Sequence, residues 1–235
     1  MDSDSVIDQT RLAISSCIAL LLLSACVPDV GPGSAYRPAD APGVTPIEEI
    51  AFKPIEKKDV LVAFNRDKAH DILYVLNLLK GSPINFEALE VVACAVERCD
   101  SADENWNWDA LGTELVRINL IDVLLQADHN GFPILDANEL FEEVLAGLES
   151  RNPQVVQRSL LTLGFRDEMR FAPEIERVAK DTTNDTTFRV AIIALKFMSP
   201  AVGEPIVARI RAESNSQRQA IINDVVPVRT TGGSE

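Results

Sequence analysis

The chain has 235 residues, of which 46% are hydrophobic and 25% charged, and its formal net charge is −14 at pH 7. These are ordinary values for a globular protein that is long enough to bury a sizeable core. Nucleic-acid binding depends on clustered Lys and Arg, so the excess of 36 acidic over 22 basic residues argues against a nucleic-acid partner. The same acidic balance disfavours an extended contact with anionic lipid headgroups.

An apolar run covers Leu12–Ala25 and ends in the sequence Leu23-Ser24-Ala25-Cys26. The run is too short to span a bilayer, which takes about 20 apolar residues, and it suits the hydrophobic region of a signal peptide. A leucine, two small residues and a cysteine resemble the lipobox of bacterial lipoproteins. The resemblance implies that residues 1–25 are removed as a signal peptide. It also implies that Cys26 carries the lipid (palmitate or a similar acyl chain), which anchors the protein in the cell envelope, facing the periplasm.

Three flanking features qualify this interpretation. Met1–Thr10 contains three Asp and no Lys or Arg, whereas a signal peptide opens on basic residues, so we hypothesise that translation begins at Val6. Val27 stands where an Asp would mark retention at the inner membrane, which slightly favours the outer membrane. Residues 26–46 are rich in Pro and Gly and predict a semi-extended tether. The alternative, a buried N-terminal helix in a cytoplasmic protein, fits poorly with that Pro/Gly-rich stretch.

Cys94 and Cys99 are the cysteines of the predicted folded domain. Outside the cytoplasm, two thiols tend to pair. On a continuous helix, a separation of five residues puts the two side chains on different faces, with Cα atoms beyond the roughly 7 Å limit for a disulfide. A disulfide therefore requires that the helix end before Cys99. The alternative is a buried Cys94 and a loop Cys99.

The spacing of apolar residues predicts an all-α domain over residues 47–228, followed by a disordered tail over residues 229–235. The first clear helix is predicted to end at Gly81. The next is predicted to place four apolar residues on one face, namely Phe86, Leu89, Ala93 and Val96.

Beyond residue 110 the apolar pattern becomes periodic. Three segments share the spacing i, i+4, i+7 and recur at intervals of 40 and 32 residues: Val116-Leu120-Val123, Val156-Leu160-Leu163 and Phe188-Ile192-Leu195. Arg218-Ile222-Val225 repeats the spacing weakly, with an arginine at the first position. Asn152, Asn184 and Asn215 offer polar N-caps just ahead of the repeated segments. A second helix type alternates with the first, and this arrangement indicates stacked helical hairpins.

The repeated helices resemble the second helices of HEAT repeats, in which Val-Arg precedes small or apolar residues. The corresponding pairs here are Val116-Arg117, Val156-Gln157 and Phe188-Arg189. The likeness covers residues 110–226 well and residues 57–100 poorly. It implies an α-α superhelix, a solenoid of stacked hairpins.

Arginines near the starts of these helices, Arg117, Arg158 and Arg189, are candidate partner-binding residues. In HEAT folds such arginines usually pair with acids of neighbouring turns, and a ligand-binding column is the alternative. Trp106 and Trp108, in an acidic loop, are further candidates because exposed rings stack on sugars or anchor interfaces. The alternative for both rings is packing onto the first repeat.

The sequence offers little support for catalysis. His70 and His129 lack a Cys or acidic partner at metal-ligand spacing, and no nucleophile or phosphate-loop motif occurs. We therefore do not expect an enzyme, and no cofactor is expected apart from a possible calcium ion. Twelve residues from Asp128 to Glu139 resemble an EF-hand loop, with Asn130 third and Asp136 ninth. Phe132 and Pro133 break that pattern, and the alternative is an ordinary loop in which Asp136 caps the next helix.

Together these features predict a lipid-anchored scaffold or adaptor that binds another envelope protein. Curved solenoid surfaces favour protein binding, although this step rests on fold analogy. One alternative is an accessory enzyme subunit resembling the HEAT-like lyases that load chromophores. Another is a calcium-responsive module built on residues 128–139.

Overall fold

The computed structural model describes residues 54–66, 68–83, 85–99, 105–132, 136–166 and 168–227. Every regular element within these ranges is a helix, so the prediction of an all-α fold is confirmed for them. The predicted signal peptide with Cys26, the tether and the C-terminal tail lie outside the described residues. The chain divides into two compact units, with the boundary between Asn107 and Trp108.

Unit 1, up to Asn107, contains three helices in its described part: α1 (Lys57–Phe64), α2 (Ala69–Gly81) and α3 (Phe86–Glu97). Helix α1 packs against both α2 and α3. The core consists of fully buried side chains from all three helices, including Val60, Phe64, Ile72, Leu76 and Val92. Asn85 begins α3: its side-chain oxygen accepts from the N–H of Ala88 at 3.2 Å, and its amide donates to the carbonyl of Ile55 at 3.0 Å.

The predicted apolar face of α3 is wrong at Phe86, whose side chain is 53% exposed. The buried face instead centres on Val92 and includes Ala88, Leu89, Ala95 and Val96. Phe86 lies six residues before Val92, which is about 120° around an α-helix, so it points away from that face.

Unit 2, from Trp108 onward, contains eight α-helices in its described part. They are α4 (Trp108–Leu111), α5 (Glu114–His129), α6 (Ala137–Gly147), α7 (Pro153–Arg166), α8 (Ala172–Asp181), α9 (Asp185–Phe197), α10 (Pro200–Glu213) and α11 (Ser216–Val225). A 3₁₀ turn, Met169–Phe171, precedes α8.

Helices α5, α7, α9 and α11 form a series in which each packs against the next. Helices α6, α8 and α10 alternate with them, and each packs against the two helices that flank it in the chain. The three apolar triplets found in the sequence are buried, and they lie on α5, α7 and α9. Unit 2 therefore has the alternation of two helix types that the sequence periodicity predicts.

Asparagine caps begin the later members of the series, as the sequence predicts. The side-chain oxygen of Asn152 accepts from the N–H of Gln154 at 3.0 Å. Asn184 and Asn215 accept from backbone N–H groups in the first turns of α9 and α11, at 3.0 and 2.9 Å. Each cap satisfies one of the helix's initial N–H groups, which have no partner within the helix.

Candidate functional site

Arg117, one of the predicted partner-binding residues, joins α5 to α6. Its Nε and Nη2 atoms donate to the two carboxylate oxygens of Glu143, at 2.8 and 2.6 Å. A two-pronged bond of this kind fixes the orientation of both side chains and is stronger than a single neutral hydrogen bond. In this structure Arg117 therefore links two neighbouring helices.

Arg158 and Arg189 connect successive members of the α5–α11 series. Arg158 on α7 lies 3.6 Å from a carboxylate oxygen of Asp122 on α5, and both side chains are largely buried. Arg189 on α9 pairs with Asp224 on α11. All three candidate arginines thus contact acids of neighbouring helices, which is the arrangement that the HEAT resemblance implies for such residues.

Arg218 occupies the first position of the i, i+4, i+7 pattern, which is apolar in the other three segments. Its contacts explain the arginine. Its guanidinium lies over the ring of Phe188, 4.6 Å from the centroid. It also donates to the carbonyl oxygens of Ala179 and Lys180, both at 3.4 Å, and of Thr182. These groups belong to the end of α8, where the last carbonyls have no partner within the helix. Arg218 therefore covers a buried ring and binds a helix terminus at the same time.

Sequence reasoning missed an aromatic pair on unit 2. The rings of Phe165 and Phe197 lie 4.4 Å apart at the C-terminal ends of α7 and α9, and Phe165 is 37% exposed. The two residues are 32 positions apart, the same interval that separates Leu163 from Leu195. Each phenylalanine therefore stands two positions after the last residue of an apolar triplet in the sequence. Extending the repeat alignment by two residues would have found them.

Helices α7 and α9 approach closely beside this aromatic pair. A Cβ atom added at Gly164 would lie 2.6 Å from the Cα of Ala194, which is closer than real Cβ contacts. The glycine thus allows the backbones of the two helices to meet. Because the helices are in such close contact, Phe165 and Phe197 are held side by side.

Arg166 follows Phe165 in the chain and is half-buried. Burial lowers the pKa of its guanidinium, and the carboxylates of Asp122, Asp128 and Glu168 act in the opposite direction. Asp128, the first residue of the calcium-like loop, therefore lies within the electrostatic range of a cation.

The tryptophans lie in different units. Trp106 is buried in unit 1, with its ring edge-on to that of Phe64 at a centroid distance of 5.3 Å. The N–H of the next residue, Asn107, donates to the carbonyl of Phe64 at 2.8 Å and holds this segment on α1. Trp108 is half-buried and begins α4 in unit 2. Trp106 therefore has the packed position that was the alternative to an exposed binding ring.

Two of the four candidate calcium ligands, Asn130 and Asp136, bind backbone groups at helix ends. The amide of Asn130 donates to the carbonyl of Gln126 at 2.8 Å, at the end of α5. Asp136 caps α6 by accepting from two backbone N–H groups, at 3.0 and 3.2 Å. Asp128 and Glu139 are exposed. Residues 133–135, between the two halves of the loop, lie outside the described residues.

The remaining predicted site residues in the described part of the chain are the two cysteines. Helix α3 ends at Glu97, and the next residue, Arg98, has φ 54°. Cys94 and Cys99 are joined by a disulfide with a Cα–Cα distance of 5.0 Å. His70 Nε2 lies 3.1 Å from a carboxylate oxygen of Asp71. Among the residues with described positions, no group of three or more His, Cys, Asp or Glu could hold a metal ion.

Helices α8 and α10 are joined by a network of ion pairs. Glu176 on α8 accepts two hydrogen bonds from Arg209 on α10, at 3.2 and 2.6 Å, and lies 3.2 Å from Lys180. The bonds from Arg209, followed by that from Lys180, lower the pKa of Glu176, while burial acts in the opposite direction. A separate pair joins Arg177 on α8 to Glu149, just beyond the end of α6.

Comparison with known proteins adds no relative: the chain matches no protein-family model, no curated protein and no solved structure. Within the described ranges, no helix has both the length and the apolar character that a membrane span requires. Functional conclusions therefore rest on the residues and contacts given above.

Proposed function

We propose that this protein is a lipid-anchored component of the bacterial cell envelope whose helical repeats bind another protein. Two features support the proposal. The sequence Leu23-Ser24-Ala25-Cys26 resembles a lipobox, and the alternating helices of unit 2 agree with a HEAT-like solenoid. In this proposal Cys26 supplies the anchor, residues 26–46 form the tether, and unit 2 presents the binding surface.

The observation that carries the binding proposal is the aromatic pair Phe165–Phe197. Interface hot spots are enriched in aromatic side chains that have exposed apolar area and a fixed orientation. The tilted contact between the rings, with centroids 4.4 Å apart, and the close approach at Gly164 fix this pair, while Phe165 is 37% exposed. The arginines Arg117, Arg158 and Arg189 are engaged within the unit, so they set the helix positions rather than form the primary contact.

The binding proposal is tested by affinity capture from detergent-solubilised membranes. The wild type is compared with Phe165→Ala and with a matched control, Phe86→Ala, which removes an exposed phenylalanine from unit 1. We expect a stoichiometric protein partner whose recovery falls roughly tenfold or more in Phe165→Ala and is unchanged in Phe86→Ala. Equal recovery with all three proteins would place the binding surface elsewhere.

The lipid anchor has its own test. In a bacterial host, wild-type chain should incorporate labelled palmitate, and mass spectrometry should find an acylated N-terminal Cys26. Cys26→Ser should lose the label and move from the membrane to the soluble fraction. Recovery of an uncleaved, unacylated wild-type chain from the soluble fraction would overturn the anchor and the envelope location together.

A further inference from the structure

The Cys94–Cys99 disulfide lies on the solvent side of α3. This helix buries Val92 and its neighbours, whereas Cys94 comes four residues after the exposed Glu90 and three before the exposed Glu97. Residues at this spacing share one face of an α-helix. Both cysteines are half-buried, so the bond between them belongs to the surface of unit 1 rather than to its core. A thiol in solution can therefore approach the bond without opening the core.

Arg98, the residue before Cys99, has a backbone conformation that an arginine does not favour. Its φ and ψ are 54° and 51°, in the left-handed region. This region is costly for residues with a Cβ atom, and helix ends of this kind usually carry Gly or Asn. Arginine also has a high helix propensity, so local preference would continue α3. Such residues persist where the surrounding structure holds them, and they cluster at switch regions.

The disulfide and this left-handed turn depend on each other. The N–H groups of Arg98 and Cys99 both donate to the carbonyl oxygen of Cys94, the second at 3.2 Å. The Cα atoms of the two cysteines are 5.0 Å apart, whereas a regular α-helix would separate them by roughly 8.7 Å, too far for a disulfide. The cross-link therefore requires the left-handed turn, and in return it restrains that turn. The redox state of the cysteines is thereby coupled to the backbone at the end of α3.

Exposure and backbone strain separate this disulfide from a purely structural one. Exposed or strained disulfides are the more easily reduced and are the ones used in regulation, whereas buried, unstrained ones resist reduction. Cys94–Cys99 combines a half-buried position with the unfavourable backbone at Arg98. The loop that it closes is also short, so it restrains the unfolded chain less than a long-range cross-link does.

We propose that the Cys94–Cys99 disulfide is a redox-responsive site, which a protein dithiol reduces in the folded chain to loosen the last turn of α3. A thiolate of the dithiol attacks one sulfur, the S–S bond breaks, and the other cysteine leaves and takes up a proton. The second thiol of the reductant loses its proton and displaces the remaining cysteine. Two electrons and two protons thus pass to Cys94 and Cys99, and the dithiol becomes a disulfide.

The change should be confined to the end of the helix. Val92 and Val96 bury α3 in unit 1 from the side opposite the sulfur atoms, so this contact does not depend on the bond. The amides of Arg98 and Cys99, in contrast, are held next to a turn that the bond restrains. This inference is independent of the proposed lipid anchor and of the proposed protein partner.

The first test asks whether the bond is accessible in the folded protein. The full-length chain is incubated without denaturant with a reduced thioredoxin, the probe for a protein dithiol, and free thiols are then alkylated. We expect mass spectrometry to find alkyl groups on both Cys94 and Cys99. Alkylation that occurs only after denaturant is added would show a protected, structural disulfide and would overturn the proposal.

The second test measures amide hydrogen exchange by NMR in the oxidised and reduced protein. The amides of Arg98 and Cys99 should exchange at least about tenfold faster after reduction, while those of Val60 and Phe64 in α1 change less than about twofold. A variant with both Cys94→Ser and Cys99→Ser, with and without the reductant, controls for the reductant itself. Unchanged exchange at the end of α3, or equal acceleration in α1, would overturn a local switch.

Arg98→Gly tests whether the left-handed turn is the element that responds. Glycine adopts this conformation without the steric cost, so exchange at Cys99 in the reduced protein should slow by about fivefold. Glu97→Gly is the matched control, because Glu97 is the last helical residue and gains nothing from left-handed freedom. Equal slowing in both variants, or none in Arg98→Gly, would contradict the coupling between the disulfide and the turn.

Discussion

Ion pairs of different range occur in the two units of this chain. In unit 1, ion pairs at Lys58, Arg66 and His70 involve acids within five positions along the chain. In unit 2, Arg117 and Arg189 pair with acids 26 and 35 positions away, on other helices. Unit 1 also has the Cys94–Cys99 disulfide, which fixes the end of α3.

This difference indicates two ways of holding short helices together. In unit 2, Arg158 and Arg189 each pair with an acid on another helix of the α5–α11 series, so neighbouring helices of the series stabilise each other. No such series of cross-helix ion pairs is seen among the described residues of unit 1. Its three helices depend on one small core and on the Cys94–Cys99 disulfide.

The largest expected effect is loss of a core ring from unit 2. Phe188 is fully buried and lies beneath Arg218, so Phe188→Ala should lower the free energy of unfolding by about 3–5 kcal/mol. The same truncation at Phe86, an exposed residue of unit 1, should change it by less than about 0.5 kcal/mol. Urea denaturation measures both. Equal losses would mean that Phe86 is covered and that the stated contrast between core and surface is wrong.

Removal of the Cys94–Cys99 disulfide tests how far this cross-link stabilises unit 1. For so short a loop, Cys94→Ser should cost about 2 kcal/mol of unfolding free energy in the entropic model of cross-links. Arg98 is the one non-glycine residue with positive φ in the described chain. Glycine adopts this conformation with less strain, so adding Arg98→Gly to Cys94→Ser should raise the unfolding free energy again by about 1 kcal/mol. Trp106 fluorescence in a Trp108→Phe background, followed during urea unfolding, isolates unit 1. An unchanged urea unfolding transition in Cys94→Ser would show that the disulfide does not stabilise unit 1.

Charge reversal at Arg158 tests the cross-helix pairs of unit 2. Arg158→Glu leaves Asp122 largely buried and facing another carboxylate, so we expect a loss of about 2 kcal/mol. Arg151→Glu is the matched control because Arg151 is exposed in the loop before α7. An unchanged unfolding free energy in Arg158→Glu would instead favour the alternative in which the arginines form a ligand-binding column.

Much of unit 2 could be predicted because its sequence signals are repeated. Buried triplets such as Val156-Leu160-Leu163 and caps such as Asn184 recur with each hairpin, and each occurrence supports the others. The function of Arg218 could not be predicted, since it depends on the end of α8 meeting a helix that comes 35 or more residues later. Tertiary contacts of this kind leave no local pattern.

Unit 1 was harder to predict because it offers one example of each element. Phe86 fits an apolar face by spacing, yet the packing of α3 on α1 selects a different face. Whether Cys94 and Cys99 could pair depended on where α3 ends, and Arg98 is not a residue that marks a left-handed cap in the way that glycine does. The sequence therefore left both alternatives open at that position.

The smallest expected effect concerns the pH dependence of the network on α8 and α10. The pKa of Glu176 is lowered in the folded protein, chiefly by Arg209, so this carboxylate stabilises the fold fully above its unfolded pKa of about 4.3. That stabilisation should be lost as the pH falls through the lower, folded pKa. Glu176→Gln should therefore lose less stability than wild type between about pH 6 and about pH 3, as measured by urea unfolding.

A substitution at Arg209 tests whether this pH dependence of the unfolding free energy comes from the cross-helix pair Glu176–Arg209. Arg209→Gln should also reduce the fall in unfolding free energy at acid pH, because it removes the donor that favours the ionised form of Glu176. In a double-mutant cycle the two substitutions should be non-additive, since they delete the same contact. Additive effects would mean that Glu176 and Arg209 act separately. Lys180, which comes from the same helix as Glu176, would then account for the lowered pKa, and this face of unit 2 would depend on local pairs as unit 1 does.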